Sequence, residues 1–272
     1  MAARSEAPVQ VSVVVPCYNE AKRLDVSAYL RSLELHPWLT FVFVDDGSRD
    51  GTHERLLDLQ RKCPERVRIL TLAENQGKAE AVRRGLLALV QDPAEPKAPP
   101  GPDLRPELVG FWDADLATPL SQLEPFVEKF RLDQHLEILM GSRVRLLGTH
   151  IERKAARHYL GRIAATLATA ILGVAIYDTQ CGAKLFRATD TLRDMLDEPF
   201  LTRWVFDVEL LARWLELRPD DASGIARFVR ELPVPEWRDV SGSRLRLGDF
   251  LGLPRDLLRI AWRYRSGRGG RR

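Results

Sequence analysis

Val11-Ser12-Val13-Val14-Val15-Pro16-Cys17-Tyr18-Asn19-Glu20 and Phe41-Val42-Phe43-Val44-Asp45-Asp46-Gly47-Ser48 decide the fold. Each begins as an apolar run rich in β-branched or aromatic residues and breaks off into polar ones. Such runs suit strands buried on both faces, which parallel sheets require. Between and after them the spacing predicts helices over residues 22–35, 52–62 and 78–90, with a third strand at 67–72. Strand and helix in alternation specify a mostly parallel sheet with crossover helices, an α/β fold.

Outward from this core, residues 91–106 carry six prolines and read as an exposed loop acting as a spacer. A strand is expected at 109–112, a helix at 120–131 and a strand at 138–141. Helices then dominate: one spans 152–176, with strands at 183–186 and 226–232.

Ligands of an open parallel sheet sit beyond the carboxyl ends of its strands. There the first strand ends in Pro16, Tyr18, Asn19 and Glu20, and the second in Asp45, Asp46 and Gly47. Carboxylates such as Asp45 and Asp46 can bond a base edge or ribose hydroxyls, although Asp46-Gly47 also makes a turn on its own. Asn75-Gln76-Gly77-Lys78 opens a helix: Gly77 lets backbone approach a ligand and Lys78 sits where anions bind. Taken alone, it reads first as a plain helix entry. Asp113-Ala114-Asp115 places two carboxylates at a strand end, a pattern suited to a hard divalent cation held with diphosphate oxygens. Trp204, Val208 and Leu211 have helical spacing, so the stretch 204–209 is either a helix packing on the core or a source of a base, Asp207 or Glu209.

Composition narrows the function classes. The chain has 272 residues, 45% hydrophobic and 29% charged, with a net charge of +3. Residues 255–272 hold seven arginines against one aspartate, so the rest of the chain is slightly acidic. That distribution is not a nucleic-acid binder's. Three cysteines, far apart and without CxxC spacing, argue for a reducing compartment and against a zinc site. The longest uncharged run, residues 163–177, is shorter than the roughly 20 residues that span a bilayer. Either the basic start of the 152–176 helix (Arg153, Lys154, Arg157, Arg162) or the C-terminal segment with Leu257, Leu258, Ala261 and Trp262 could instead lie on an anionic membrane surface.

Taken in order, these motifs resemble family 2 glycosyltransferases of the GT-A fold. Gly141-Ser142-Arg143, Asp178-Thr179-Gln180-Cys181-Gly182 with Lys184-Leu185-Phe186, Trp204-Val205-Phe206-Asp207-Val208-Glu209 and Gly242-Ser243-Arg244 are similar to those of dolichyl- and polyprenyl-phosphate sugar transferases, above all the β-glucosyl branch. The resemblance implies a GT-A domain over residues 1–247 and a basic, amphipathic tail over 248–272. It implies that Pro16, Tyr18, Asn19, Glu20, Asp45, Asp46, Gly47, Gly77, Lys78, Ala114 and Gln180 surround the nucleotide sugar, UDP-glucose by expectation. Asp113 and Asp115 would hold Mg2+ or Mn2+ and the diphosphate, while Arg143 and Arg157 would hold a polyprenyl phosphate. Ala117 stands where mannosyl enzymes often carry Gln, and Gly161 where they often carry Ser, which favours the glucosyl branch over transfer from GDP-mannose. A hydroxyl acceptor is the other alternative. The expected location is cytoplasmic, peripheral at the membrane face.

Overall fold

The computed structural model describes residues 9–91, 106–152, 155–240 and 247–265, with the side chains of 155–160, 247–251 and 265 outside that description. In chain order the first half runs β1 (Val11–Cys17), α1 (Val26–Leu35), β2 (Leu39–Asp45), α2 (Thr52–Lys62), β3 (Val67–Thr71), α3 (Lys78–Val90) and β4 (Leu108–Trp112). A 3-10 turn leads into α4 (Leu123–Leu132), followed by β5 (Ile138–Ser142), β6 (His150–Glu152) and α5 (Ala155–Leu172). The chain continues through β7 (Ala183–Arg187), α6 (Asp190–Leu196), α7 (Phe206–Leu217), β8 (Val229–Pro233), β9 (Glu236–Arg238) and α8 (Leu247–Arg265).

Seven strands form one sheet in the order β3-β2-β1-β4-β7-β5-β8. β1 pairs in parallel with β2 and with β4, while β7 runs antiparallel between β4 and β5. β6 and β9 make a separate parallel pair. Alternate residues of each strand serve opposite faces, and both faces are covered. Val14, Val42 and Val44 pack with α3, α6, α7 and α8. Val13, Val15, Phe41 and Phe43 pack with α1, α2 and α4. This is the burial that the β-branched runs demand.

Several boundaries differ from the sequence expectation. α1 begins at Val26 rather than residue 22, because Asp25 accepts from Ala28 N–H as its cap and residues 20–24 form a turn on Glu20 O. α5 ends at Leu172, before Gly173 at φ 68°, and not at 176. Residues 219–227 form a 3-10 helix, so β8 starts at Val229 rather than 226. Residues 247–265, expected in a tail, form a helix whose Leu257 and Ile260 are buried against the domain. Its other face leaves Leu258 and Trp262 exposed. The proline-rich stretch (residues 92–105), Arg153, Lys154, Gly242-Ser243-Arg244, residues 266–272 and the side chain of Arg157 lie outside the described residues.

Candidate active site

The carboxyl ends of β1, β2 and β4 open on one cleft of about 440 Å³. From the first half of the chain Pro16, Tyr18, Glu20, Asp46, Gly77 and Lys78 line it. From the second half come Asp113, Ala114, Asp115, Arg143, Gln180 and Asp207. Asn19, Asp45, Gly47 and Glu209 do not.

Those four build the walls instead. Asn19 Oδ1 accepts from Arg49 N–H at 2.7 Å, and its own N–H donates to Ser48 Oγ at 2.9 Å. Asp45 is buried, accepting from Ser48 N–H at 3.0 Å and facing His53 Nδ1 at 3.1 Å. Asp45 therefore stands behind the cleft wall rather than lining it, where the sequence expectation had a base-reading carboxylate. Gly47, at φ 67°, lies so close to Glu74 that a Cβ would come within 2.7 Å of its backbone. Asp46 does reach the cleft, but its oxygens are engaged by Gln76 N–H (2.7 Å), Gly77 N–H (2.9 Å) and Asn75 Nδ2 (2.9 Å). It pins the turn that presents Gly77 and Lys78. Burial raises its pKa, and those backbone donors oppose the rise.

Asp113 stands at the end of β4, its N–H donating to Gly182 O at 2.9 Å. Its carboxylate rests against Gly182, where a Cβ would lie 1.8 Å from Oδ2. Oδ1 pairs with Lys78 Nζ. Asp115 accepts from Ala117 N–H at 3.2 Å, and its Oδ2 faces Arg23 Nη1 at 3.9 Å. Burial, then the charge of Asp113, push Asp115 up to about 6. Among the described residues no group of three or more His, Cys, Asp or Glu side chains is arranged to hold a metal. The donor set here is two carboxylates opening on a cleft. That fits a small, hard cation that completes its shell with substrate phosphate and water, and the glycine cradle behind Asp113 keeps one ligand in place.

Arg143, which follows β5, lines the same cleft. Asp178 receives its Nε at 2.6 Å, its Nη2 at 2.7 Å and its backbone N–H at 3.1 Å. Glu231 in turn accepts from the N–H groups of Tyr177 and Asp178. The guanidinium also lies 5.3 Å from the Trp237 ring. Burial works against its charge, but the Asp178 carboxylate outweighs that and holds Arg143 above its ordinary range. Arg143 is thus a fixed cation in the cleft wall, as an anion-positioning group needs to be.

Asp207, near the start of α7, points into the cleft from a buried seat. Lys184 Nζ stands 2.7 Å from its Oδ1 as an ion pair without hydrogen-bond alignment to that oxygen. The lysine donates to Thr179 O at 2.9 Å and Cys181 O at 2.7 Å. Burial raises the Asp207 pKa, with Lys184 the main opposing influence. Glu209 is wholly buried, accepting from Leu201 N–H at 2.8 Å, Arg213 Nη2 at 2.7 Å and Tyr264 Oη at 3.0 Å. Residues two apart on a helix point about 160° away from each other, so only one of Asp207 and Glu209 can face the cleft. Glu209 is therefore corrected from candidate base to the link between α7, α8 and the loop before them.

Sequence reasoning passed over Arg23, Gly182 and Lys184 as site residues. Arg23 falls in a stretch read as helix, and Gly182 and Lys184 stand in a quoted motif without a role. Only the return of β7 alongside β4 brings Gly182 to the cleft and Lys184 to Asp207 beneath it.

The family model described as Glycosyl transferase family 2 matches residues 12–191. A dolichyl-phosphate beta-glucosyltransferase of Trichomonas vaginalis is 33% identical over 97% of this chain and 74% of its own length. The dolichyl-phosphate beta-glucosyltransferase of Homo sapiens is 32% identical, over 95% and 76%. Among solved structures, glucosyl-3-phosphoglycerate synthase of Mycobacterium tuberculosis superposes with a TM-score of 0.64 at 16% identity, over 94% of this chain and 81% of that one. The same enzyme in complex with Mn2+, UDP and glucosyl-3-phosphoglycerate also gives 0.64, at 18% identity over 94% and 80%. These likenesses show the GT-A fold. With the family model covering most of the chain, this protein belongs to glycosyl transferase family 2.

Proposed function

We propose that this chain transfers a glucosyl residue from UDP-glucose to the phosphate of a dolichyl or other polyprenyl phosphate, with inversion. The observation that carries the reading is the presence, in one cleft, of a carboxylate couple at a strand end and an arginine clamped by Asp178. The couple suits a metal-bound nucleoside diphosphate, and the arginine a second phosphate. Names of the full-length relatives agree with this choice of acceptor and sugar.

Asp113 and Asp115 would hold Mg2+ or Mn2+, which when bound supplies charge neutralisation for the departing diphosphate. Tyr18, Glu20 and the Asp46-pinned turn enclose the nucleotide, while Gln180 and Asp207 face the sugar. Arg143, with Arg157 on α5, positions the acceptor phosphate. An oxygen of that phosphate attacks C1 of glucose in line; the C1–O bond to UDP breaks and its electron pair leaves on the β-phosphate. The attacking oxygen is already anionic, so no proton need move and positioning supplies most of the effect. Asp207, countered by Lys184, then shapes the sugar pocket rather than serving as a base.

Among the described residues no helix is long and apolar enough to cross a membrane. We assign acceptor access to α8, whose outward face carries Leu258 (68% exposed) and Trp262 (80% exposed) beside Arg255, Arg259 and Arg263. That composition suits an anionic cytoplasmic membrane surface. Incubation of UDP-glucose or GDP-mannose with dolichyl phosphate, undecaprenyl phosphate or water, each with Mn2+ or Mg2+, tests the reading. Glucosyl lipid from UDP-glucose is the expected product. Preference for GDP-mannose, or hydrolysis indifferent to the lipid, refutes it.

A further inference from the structure

Each carboxylate of the Asp113–Asp115 couple already faces a cation. Lys78 Nζ is paired with Asp113, and Arg23 Nη1 stands 3.9 Å from Asp115. Arg23 is itself held by Glu20 through Nε and Nη2, so only its Nη1 is turned to Asp115, whereas Lys78 pairs, among the described residues, with Asp113 alone. The two cations come from outside the carboxylate loop: Lys78 is the first residue of α3, and Arg23 lies in the turn after β1. Their side chains are 26% and 18% exposed, so water screens these pairs only in part. Arg23 Nη1 is buried and has no hydrogen-bond partner. It is a donor at the cleft that a phosphate oxygen would satisfy.

A divalent cation entering this cleft alone would have to displace Lys78 and then leave an ammonium group beside a dication. A nucleoside diphosphate entering alone would meet two carboxylates. When both enter, the metal takes Asp113 and Asp115, Lys78 takes a diphosphate oxygen, and Arg23, still held by Glu20, has Nη1 left for another. Lysine suits such an exchange, being a point charge on a flexible stem of four carbons.

We propose that Lys78 is a resident stand-in for the metal: it holds Asp113 while the cleft is empty and passes to the diphosphate when metal and nucleotide arrive together. Metal and nucleotide then bind as a coupled pair, each raising the affinity of the other by the same factor. This rests on the reading that the cleft takes a metal and a nucleoside diphosphate.

The test is calorimetric titration of the full chain with Mn2+ alone, with UDP alone, and with each in saturating amounts of the other. Wild type is compared with Lys78→Met, Lys78→Gln and Arg203→Met, with melting temperature recorded for each. Arg203 lines the same cleft but makes no ion pair with either carboxylate among the described residues. In the wild type, saturating UDP should tighten Mn2+ binding by roughly tenfold or more. Both Lys78 variants should bind Mn2+ alone about tenfold tighter than wild type and lose a matching part of the coupling. Arg203→Met should change Mn2+ binding less than about twofold, since it relieves no carboxylate. Unchanged Mn2+ affinity in both Lys78 variants overturns the proposal, and so does equal tightening in Arg203→Met, which would mark a general field effect. Absence of coupling in the wild type overturns it without recourse to any variant. If the wild type binds no UDP even in saturating Mn2+, the donor reading itself falls, and that outcome is distinct from all the others.

Discussion

Replacing Gly182 by alanine should disable the carboxylate couple while leaving the fold intact. The new Cβ would lie 1.8 Å from Asp113 Oδ2 and 2.1 Å from its Cγ. Gly182 cannot retreat, because its carbonyl accepts from Asp113 N–H and the next residue, Ala183, is paired with Trp112 in the sheet. The carboxylate must therefore move, by about 1.6 Å to reach ordinary contact, and misplacement on the 1 Å scale costs about a hundredfold in rate. Glucosyl transfer in saturating Mn2+ should fall by about that factor in kcat/KM. Gly182 has no positive φ, so alanine carries no backbone strain, and the disturbed Lys78–Asp113 pair is partly exposed. Stability should change by no more than about 1 kcal/mol, a few degrees in Tm. Steady-state kinetics with a short-chain polyprenyl phosphate and scanning calorimetry on the same preparation measure both. A variant whose kcat/KM stays within about threefold of wild type refutes the argument that Asp113 acts from this position.

The remaining predictions follow from buried charges. Lys184→Met removes the counter-ion of Asp207 where the two side chains are 2% and 6% exposed, so denaturant unfolding should show a loss of about 3–5 kcal/mol; an unchanged midpoint would mean the pair is not buried in solution. Glu209→Gln should lower Tm by weakening the junction with Arg213 and Tyr264, yet leave turnover per folded molecule within about twofold. A selective loss of kcat would return Glu209 to the catalytic set. Arg143→Ala should lower Tm by leaving the buried Asp178 carboxylate unpaired and, per folded molecule, weaken use of polyprenyl phosphate by roughly ten- to a hundredfold, with UDP affinity in Mn2+ unchanged and poor rescue by lysine. Loss of UDP binding instead would place Arg143 on the donor side.

The parts legible in the sequence were those governed by neighbours along the chain. α2 and α3 begin and end where the sequence expectation put them, because an apolar period and local turn residues set both ends. The β-branched runs announced strands buried on both faces, and the polar residues after them announced where a cleft would open. Tertiary structure decided which of those residues face it. Asp45 and Asp46 are adjacent in sequence, but one turns to Ser48 and His53 and the other to the turn at residues 75–77. Asp207 and Glu209 share a motif, and the rotation of a helix sends them to opposite sides. Gly182 reaches the cleft, and Lys184 reaches Asp207 beneath it, only because β7 runs antiparallel between β4 and β5, over 70 residues of chain after β4 begins. Strand order and side-chain direction depend on partners distant in sequence, and no local spacing carries that information.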